Sequence, residues 1–320
     1  MSAFHNRYHP VKDYFDSLSW DGDDHISDLA RSFTCKDGTI TYPDGTQKTV
    51  VHAFLIRFLV GAVAKLYEQA QNIMLTFAGA QGIGKSTIPL WLCSPLPKYY
   101  NESQLDPEGK ETDRRLAKTF LWEIGELGAT TRRSDVNALK NKLTQSHVTF
   151  RVPYGHYDVT KPVLTSFFGT VNPDGHGFLV DRTGNRRFAV VNITAIDFSY
   201  YTNIDPNQVW AQALHFYRTG VGWRLSPEEA NLQNAINKEH ELDATIDIIM
   251  PSLFVTDTER DDWAMPPIEI ANTLFYKNYG TLDKCAKDAA AWLKQNGHVK
   301  RGRPPTWRGI RERTALDHEG

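Results

Sequence analysis

A chain of 320 residues, 41% hydrophobic and 23% charged, has an ordinary globular composition and room for one large or two modest domains. Its formal net charge of −2 excludes bulk electrostatics as a route to nucleic acid, so any such binding needs local basic patches. Cys35, Cys93 and Cys285 lie far apart with no CxxC or Cys/His cluster, which argues against a disulfide framework or structural zinc and suits a reducing cytosol. No apolar run approaches the roughly 18 residues of a membrane helix. Met1 to Pro10 has no apolar segment of the kind a secretory signal needs. The expected location is the cytoplasm of a host cell.

In chain order, residues 11–34 and 50–71 read as helices, the second with Phe54, Phe58, Ala62 and Leu66 at helical spacing. Between them, Asp37 to Gln47 has turn chemistry. Ile73 to Ala78 is a short apolar run that suits a buried strand. Thr87 to Leu92 suits a helix start, and residues 134–145 a helix. Thr119–Ile124, Val163–Val171 and Phe188–Ile193 are further strand candidates. Strands alternating with helices imply a mostly parallel sheet with helices on its faces. The chain is helical again after about residue 225, with candidates at 267–278 and 283–296. Residues 239–262 carry eight acids and one Arg, whereas 294–313 carry seven Lys or Arg and one Glu. The expected division is an N-terminal helical region (1–70), a P-loop core (71–240), an acidic linker (241–264) and a basic C-terminal domain (265–320).

Gly79-Ala80-Gln81-Gly82-Ile83-Gly84-Lys85-Ser86 matches the phosphate-loop pattern at every fixed position. Glycines let backbone N–H groups turn inward on phosphate oxygens, and the following helix aims its positive end at the same anion. The nucleotide ligands expected are Gly79, Gly82, Ile83, Gly84, Lys85, Ser86 and Thr87. Lys85 would reach the β- and γ-phosphates of ATP, and Ser86 would bind Mg²⁺. Hydrolysis also needs an acid at a neighbouring strand end. Glu123 ends the run Phe120–Ile124, and Glu126 follows three residues on. One would organise the Mg²⁺ shell and the other polarise water, and their order stays open. Asn172, at the tip of the strand Phe167–Val171, could hold the lytic water. Arg182, Arg186 and Arg187 stand at a strand entrance, where ring ATPases draw a transition-state cation from a neighbouring subunit.

These elements, with His9-Pro10-Val11-Lys12-Asp13-Tyr14-Phe15-Asp16-Ser17-Leu18, Trp20-Asp21-Gly22, Trp122–Leu127, Arg151-Val152-Pro153-Tyr154-Gly155 and Asp181–Phe188, resemble the virulence-associated E family. Those are P-loop proteins of phages and plasmid islands, similar to superfamily 3 helicases. The match covers roughly residues 8–225. The resemblance implies an AAA+-like α/β core, ATP hydrolysis with Mg²⁺, and a ring oligomer, expected to be a hexamer, acting in replication of a mobile element. It implies Lys85 and Ser86 as nucleotide ligands, Glu123 and Glu126 as the acidic motif, Asn172 as sensor, and Arg186 and Arg187 as finger candidates. The acidic motif departs from the usual helicase pattern of two adjacent acids, which leaves the roles of Glu123 and Glu126 open. Some relatives carry a primase domain upstream; this sequence begins at the motor, so primase or other replication proteins are expected as separate partners.

DNA has two candidate contacts. Residues 149–165 read as two extended arms around Tyr154-Gly155-His156, which the resemblance makes a pore-loop candidate. There Arg151, His156 and Lys161 would meet phosphates, and Tyr154 or Tyr157 would stack on a base. The second contact is the C-terminal helix pair with its basic wing, including Lys300, Arg301 and Arg303, which resembles a winged helix-turn-helix. The leading expectation is an ATP-driven helicase or translocase. A DNA-binding initiator switched by ATP without unwinding, and a small-molecule kinase, remain as alternatives.

Overall fold

The apolar run around residues 73–78 forms a strand, Met74–Ala78, buried at every position. This is a computed structural model of the chain and describes residues 9–106, 110–125, 127, 133–151, 157–172, 178–179, 185–241, 245–277 and 281–314. Its contacts separate two compact units, 1–241 and 242–320.

The first unit holds a six-stranded sheet in the order Phe33–Cys35, Phe188–Ile196, Met74–Ala78, Ser166–Val171, Leu121–Ile124, Tyr100–Asn101. All neighbours from Phe188–Ile196 onward are parallel. Phe33–Cys35 adds to one edge antiparallel, with a register shift between Thr34 and Cys35, and the other edge is the two-residue strand Tyr100–Asn101. The expected mixed α/β architecture, a mostly parallel sheet with flanking helices, is present. Parallel strands covered on both faces read as unbroken apolar runs, and Ser166–Val171 and Leu121–Ile124 are likewise buried at every position.

One flanking helix, Val50–Glu68, begins where the Thr49 side chain accepts from His52 N and ends at Gln69 in a left-handed conformation. Among the described residues it is long and apolar enough to cross a membrane by length and composition, which corrects the sequence reading that no such run exists. Arg57 and Lys65 mask the run in the sequence. In the fold it is a core helix. Phe58 meets Phe168 (ring centroids 6.0 Å), and Phe168 meets Phe77 (5.0 Å), tying helix to sheet. At Gly61 a Cβ would collide with the Asn72 amide, which donates to Phe58 O (2.9 Å) and Ser166 Oγ (3.1 Å). Gly61→Ala is therefore expected to cost about 1–3 kcal/mol by overpacking, read as a lower urea midpoint at unchanged m-value. An unchanged midpoint would mean that this helix–sheet contact yields freely.

The helix expected over 11–34 is two helices, Pro10–Ser17 and His25–Arg31, followed by the Phe33–Cys35 strand. Gly22 at φ 101° turns the chain between them, and the Asp24 side chain caps the second helix by accepting from Ser27 N. Nor is the 1–70 region separate from the sheet. Phe15 packs on Phe120 (5.4 Å) and Trp210 (5.5 Å) in one shared core.

The second unit has its own core, with Met250, Phe254, Leu274, Cys285, Leu293 and Ile310. The stretch expected as an acidic linker is folded into it: Thr245–Leu253 is a helix, and Phe254–Thr256 pairs with Ile310–Glu312. Ile246, Met250 and Phe254 recur every four residues between the acids and bury together. Helices Pro267–Tyr276 and Leu282–Gln295 follow. Then Lys300–Arg301 pairs antiparallel with Thr306–Arg308, which also pairs with Ala264–Met265.

Candidate phosphate-binding site

Three adjacent parallel strands deliver the candidate residues at or near their C-terminal ends. Met74–Ala78 leads into Gly79–Ser86, Ser166–Val171 into Asn172, and Leu121–Ile124 carries Glu123. The register puts Ala78 opposite Val171 and Glu123 opposite Phe168, and Gly79 N donates to Val171 O at 3.2 Å. Gly82 and Gly84 have φ of 84° and 87°, a region that other residues enter only with strain. The loop therefore requires both glycines. The short helix Thr87–Leu92 follows, and Thr87 Oγ1 donates to Gly84 O at 2.6 Å.

Lys85 is buried, at 6% exposure. Its Nζ donates to Gly79 O (2.7 Å), Ala80 O (2.7 Å) and Asn172 Oδ1 (2.9 Å). An ammonium has three N–H donors, and all three are used. Burial lowers the Lys85 pKa, but three donated bonds require the charged form. Glu123, on the next strand but one, is 3% exposed. Tyr100 Oη donates to it at 2.5 Å, and Thr170 Oγ1 at 3.5 Å. Burial pushes the Glu123 carboxyl up, opposed by hydrogen bonds from Ser86 and Tyr100. Lys85, Ser86, Glu123 and Asn172 thus come together as the sequence suggests.

Arg186 and Arg187 do not join them. They form a short turn at the start of Phe188–Ile196, where Phe188 lies opposite Met74, while Asn192 lies opposite Ala78. Five residues of extended strand put them roughly 15 Å from Gly79, at the opposite end of the sheet. Buried amides of the helix Pro227–Glu239 hold this turn. Gln233 Nε2 donates to Arg186 O (3.0 Å) and Phe188 O (2.7 Å), and Asn237 Nδ2 to Asn185 O (2.8 Å). The helix is itself anchored by Glu229, which receives Arg57 Nε at 2.8 Å and Tyr42 Oη at 2.7 Å. Arg187 Nε is buried without a hydrogen-bond partner among the described residues. Glu126, Arg182, Tyr154 and His156 lie outside those residues.

The expected hairpin exists as His147–Arg151 paired with Asp158–Pro162. Arg151 is at the last pair before the tip, opposite Asp158, whereas Lys161 is near the foot, opposite Val148. Lys161 lines a cavity of about 360 Å³ with Tyr99, Arg114, Lys118 and Phe150. In the second unit Lys300, Arg301 and Arg303 are exposed. Lys300 Nζ sits 4.9 Å from the Trp307 ring centroid, and Arg301 pairs with Asp261 at 3.1 Å. The acidic and basic stretches thus partly neutralise each other, though exposed pairs of this kind are worth only about 0–1 kcal/mol.

Sequence reasoning missed Tyr100, and it gave Thr170, noted at the strand end, no place beside Glu123. No spacing rule marks them, since each reaches the site through the sheet and not through the loop's own sequence.

Residues 15–242 match the family model of the virulence-associated protein E-like domain, well over half of the chain. The chain belongs to the virulence-associated protein E-like family. The match ends within one residue of the end of the first unit. Solved apo structures of the NrS-1 C-terminal region are similar to it. One has 14% identity and a TM-score of 0.46, covering 92% of this chain and 77% of that one. Another has 15% identity and a TM-score of 0.43, covering 91% and 76%. No curated protein matches the sequence. In this virulence-associated protein E-like domain the glycine-rich loop, Glu123 and Asn172 converge, and the arginine turn stands apart.

Proposed function

We propose that the chain is an ATP-hydrolysing DNA translocase of helicase type that works as a ring in the replication of a phage or other mobile element, in the host cytoplasm. The observation that carries this reading is the meeting of Lys85 with Asn172 at 2.9 Å, beside buried Glu123. The strand order, with the loop-bearing strand next to the Asn172 strand and the Glu123 strand beyond, supports an AAA+-like core. The residues fit a magnesium-bound triphosphate. Lys85 now donates to oxygens of the loop and of Asn172, a role that phosphate oxygens would take over. Lys85 and the loop N–H groups would hold the phosphates, and Ser86 would bind Mg²⁺. Bound Mg²⁺ supplies charge neutralisation at the phosphates. Asn172 orients the attacking water, and Glu123 accepts its proton. Arg186 and Arg187 serve the site of a neighbouring subunit.

Glu123→Gln keeps the shape but removes the base, so turnover is expected to fall roughly 10²–10⁴-fold while ATP still binds. The base must be ionised, and burial raises the Glu123 carboxyl above the usual 4.5. Activity therefore falls as pH drops through that raised value, and kcat/KM against pH should show its acid limb above the ordinary glutamate range. A limb at or below 4.5 would remove Glu123 from this role.

For the motor as a whole, mass photometry with a non-hydrolysable ATP analogue and single-stranded DNA should give a ring, with six subunits expected. Hydrolysis by a monomer that neither moves on single strands nor separates a fork would sink the reading. A second reading, an ATP-switched DNA binder without unwinding, is favoured by exposed Lys300 and Arg303 on the hairpin of a unit with its own core, which we read as winged-helix-like. Under it, deleting residues 242–320 removes sequence-specific footprints, and the full chain never separates a fork.

A further inference from the structure

The strand Phe188–Ile196 borders the loop-bearing strand on the side opposite Asn172 and Glu123, and its exit carries three aromatics, Phe198, Tyr200 and Tyr201. A Cβ at Gly84 would collide with the Phe198 ring, so that ring lies directly against the phosphate-loop backbone. Its remainder is open, with Phe198 49% exposed. Tyr200 braces it from behind: the two rings stack at 6.3 Å and 30°. Tyr200 is itself fixed, buried, edge-on to Trp91 at 5.0 Å and with its hydroxyl 3.0 Å from Thr87 Oγ1. Tyr201, 61% exposed, adjoins Tyr200.

The sheet order sets direction. Lys85 points toward Asn172, so the reacting end of a phosphate chain lies on that side, and the other end emerges over Gly84 and Thr87, where Phe198 stands. Polar groups near the ring are turned on each other. Asp197 Oδ1 accepts from Ser199 N (2.9 Å), Asp197 Oδ2 from Ser199 Oγ (2.8 Å), and Ser199 O from Thr202 Oγ1 (3.2 Å). We propose that Phe198 is the stacking platform for a purine base of the nucleoside triphosphate, recognised by its ring face and not by its edge. The inference rests on the phosphate-site reading and deepens it: ATP and GTP bind alike, and pyrimidine nucleotides bind more weakly because their smaller π-face stacks less well.

The test is competition binding of Mg-ATP, Mg-GTP, Mg-CTP and inorganic tripolyphosphate to the full chain and to Phe198→Ala, Phe198→Leu and Phe198→Trp. Base–aromatic stacking predicts a loss of roughly tenfold to a hundredfold for ATP and GTP in Phe198→Ala, an unchanged tripolyphosphate affinity, and recovery in Phe198→Trp. Phe198→Leu preserves contact with Gly84 but not the π-face, so it should behave like Phe198→Ala. Equal loss of ATP and tripolyphosphate, or none of either, overturns the platform while leaving the phosphate site intact. So does wild-type CTP binding as tight as ATP. Wild-type protein that binds neither ATP nor tripolyphosphate overturns the phosphate-site reading itself, and the platform with it.

Discussion

Lys85→Ala should abolish measurable nucleotide turnover, a loss of roughly a hundredfold to a thousandfold or more for one preorganised cationic donor. The expectation follows from where Lys85 sits. Its ammonium is buried and donates three hydrogen bonds, two to the loop's own carbonyls and one to Asn172. A charge held this way loses little on donating to phosphate oxygens instead, because one set of acceptors replaces another. In the Ala variant the loop keeps its glycine-dictated path, since Gly82 and Gly84 set the turn. Thermal stability should thus stay near that of the parent while steady-state phosphate release disappears. Normal release by purified Lys85→Ala would remove this loop from the chemistry.

The second large effect concerns the arginine turn. An Arg186→Ala, Arg187→Ala double variant is expected to lose roughly 10³–10⁵ in kcat, the range for a cation supplied in trans, with ATP affinity little changed. The register excludes help from within the same chain, since the turn lies beside Met74 and the loop begins beyond Ala78. Mixing inactive double variant with inactive Lys85→Ala should therefore restore activity. Random mixing in equal amounts leaves about a quarter of the interfaces with an intact loop on one side and intact arginines on the other. Recovery to that order, read as phosphate release against mixing ratio, is the expected outcome. No recovery, with heteromers verified by a pull-down on a tag carried by one variant, would place the arginines outside catalysis. Gln233 and Asn237 fix the carbonyls of that turn, so the arginines are presented by a rigid support.

Much of this site can be read in the sequence because phosphate binding demands fixed residue types at fixed spacing. Gly82, Gly84 and Lys85 are adjacent in sequence and in space, so their pattern survives translation into one dimension. Glu123 is legible as an acid interrupting an apolar run. Tyr100 is not, because its contact with Glu123 exists only once Tyr100–Asn101 pairs with Leu121–Ile124. Charge counting hides the start of the second unit: Ile246 and Met250 in the helix Thr245–Leu253 and Phe254 in the strand that follows bury together, although acids far outnumber bases across 241–264. The break between the first two helices is legible in Asp21-Gly22-Asp23-Asp24, whose turn chemistry outweighs the apolar spacing on either side.

The sheet's two borders carry a last consequence. One is a three-residue strand with an irregular register, the other a two-residue strand. Neither offers the long flat row of unpaired amides that templates aggregation or fibril growth. The ring proposed above would therefore not be built by joining this six-stranded sheet edge to edge, and its subunit contacts would fall to other surfaces.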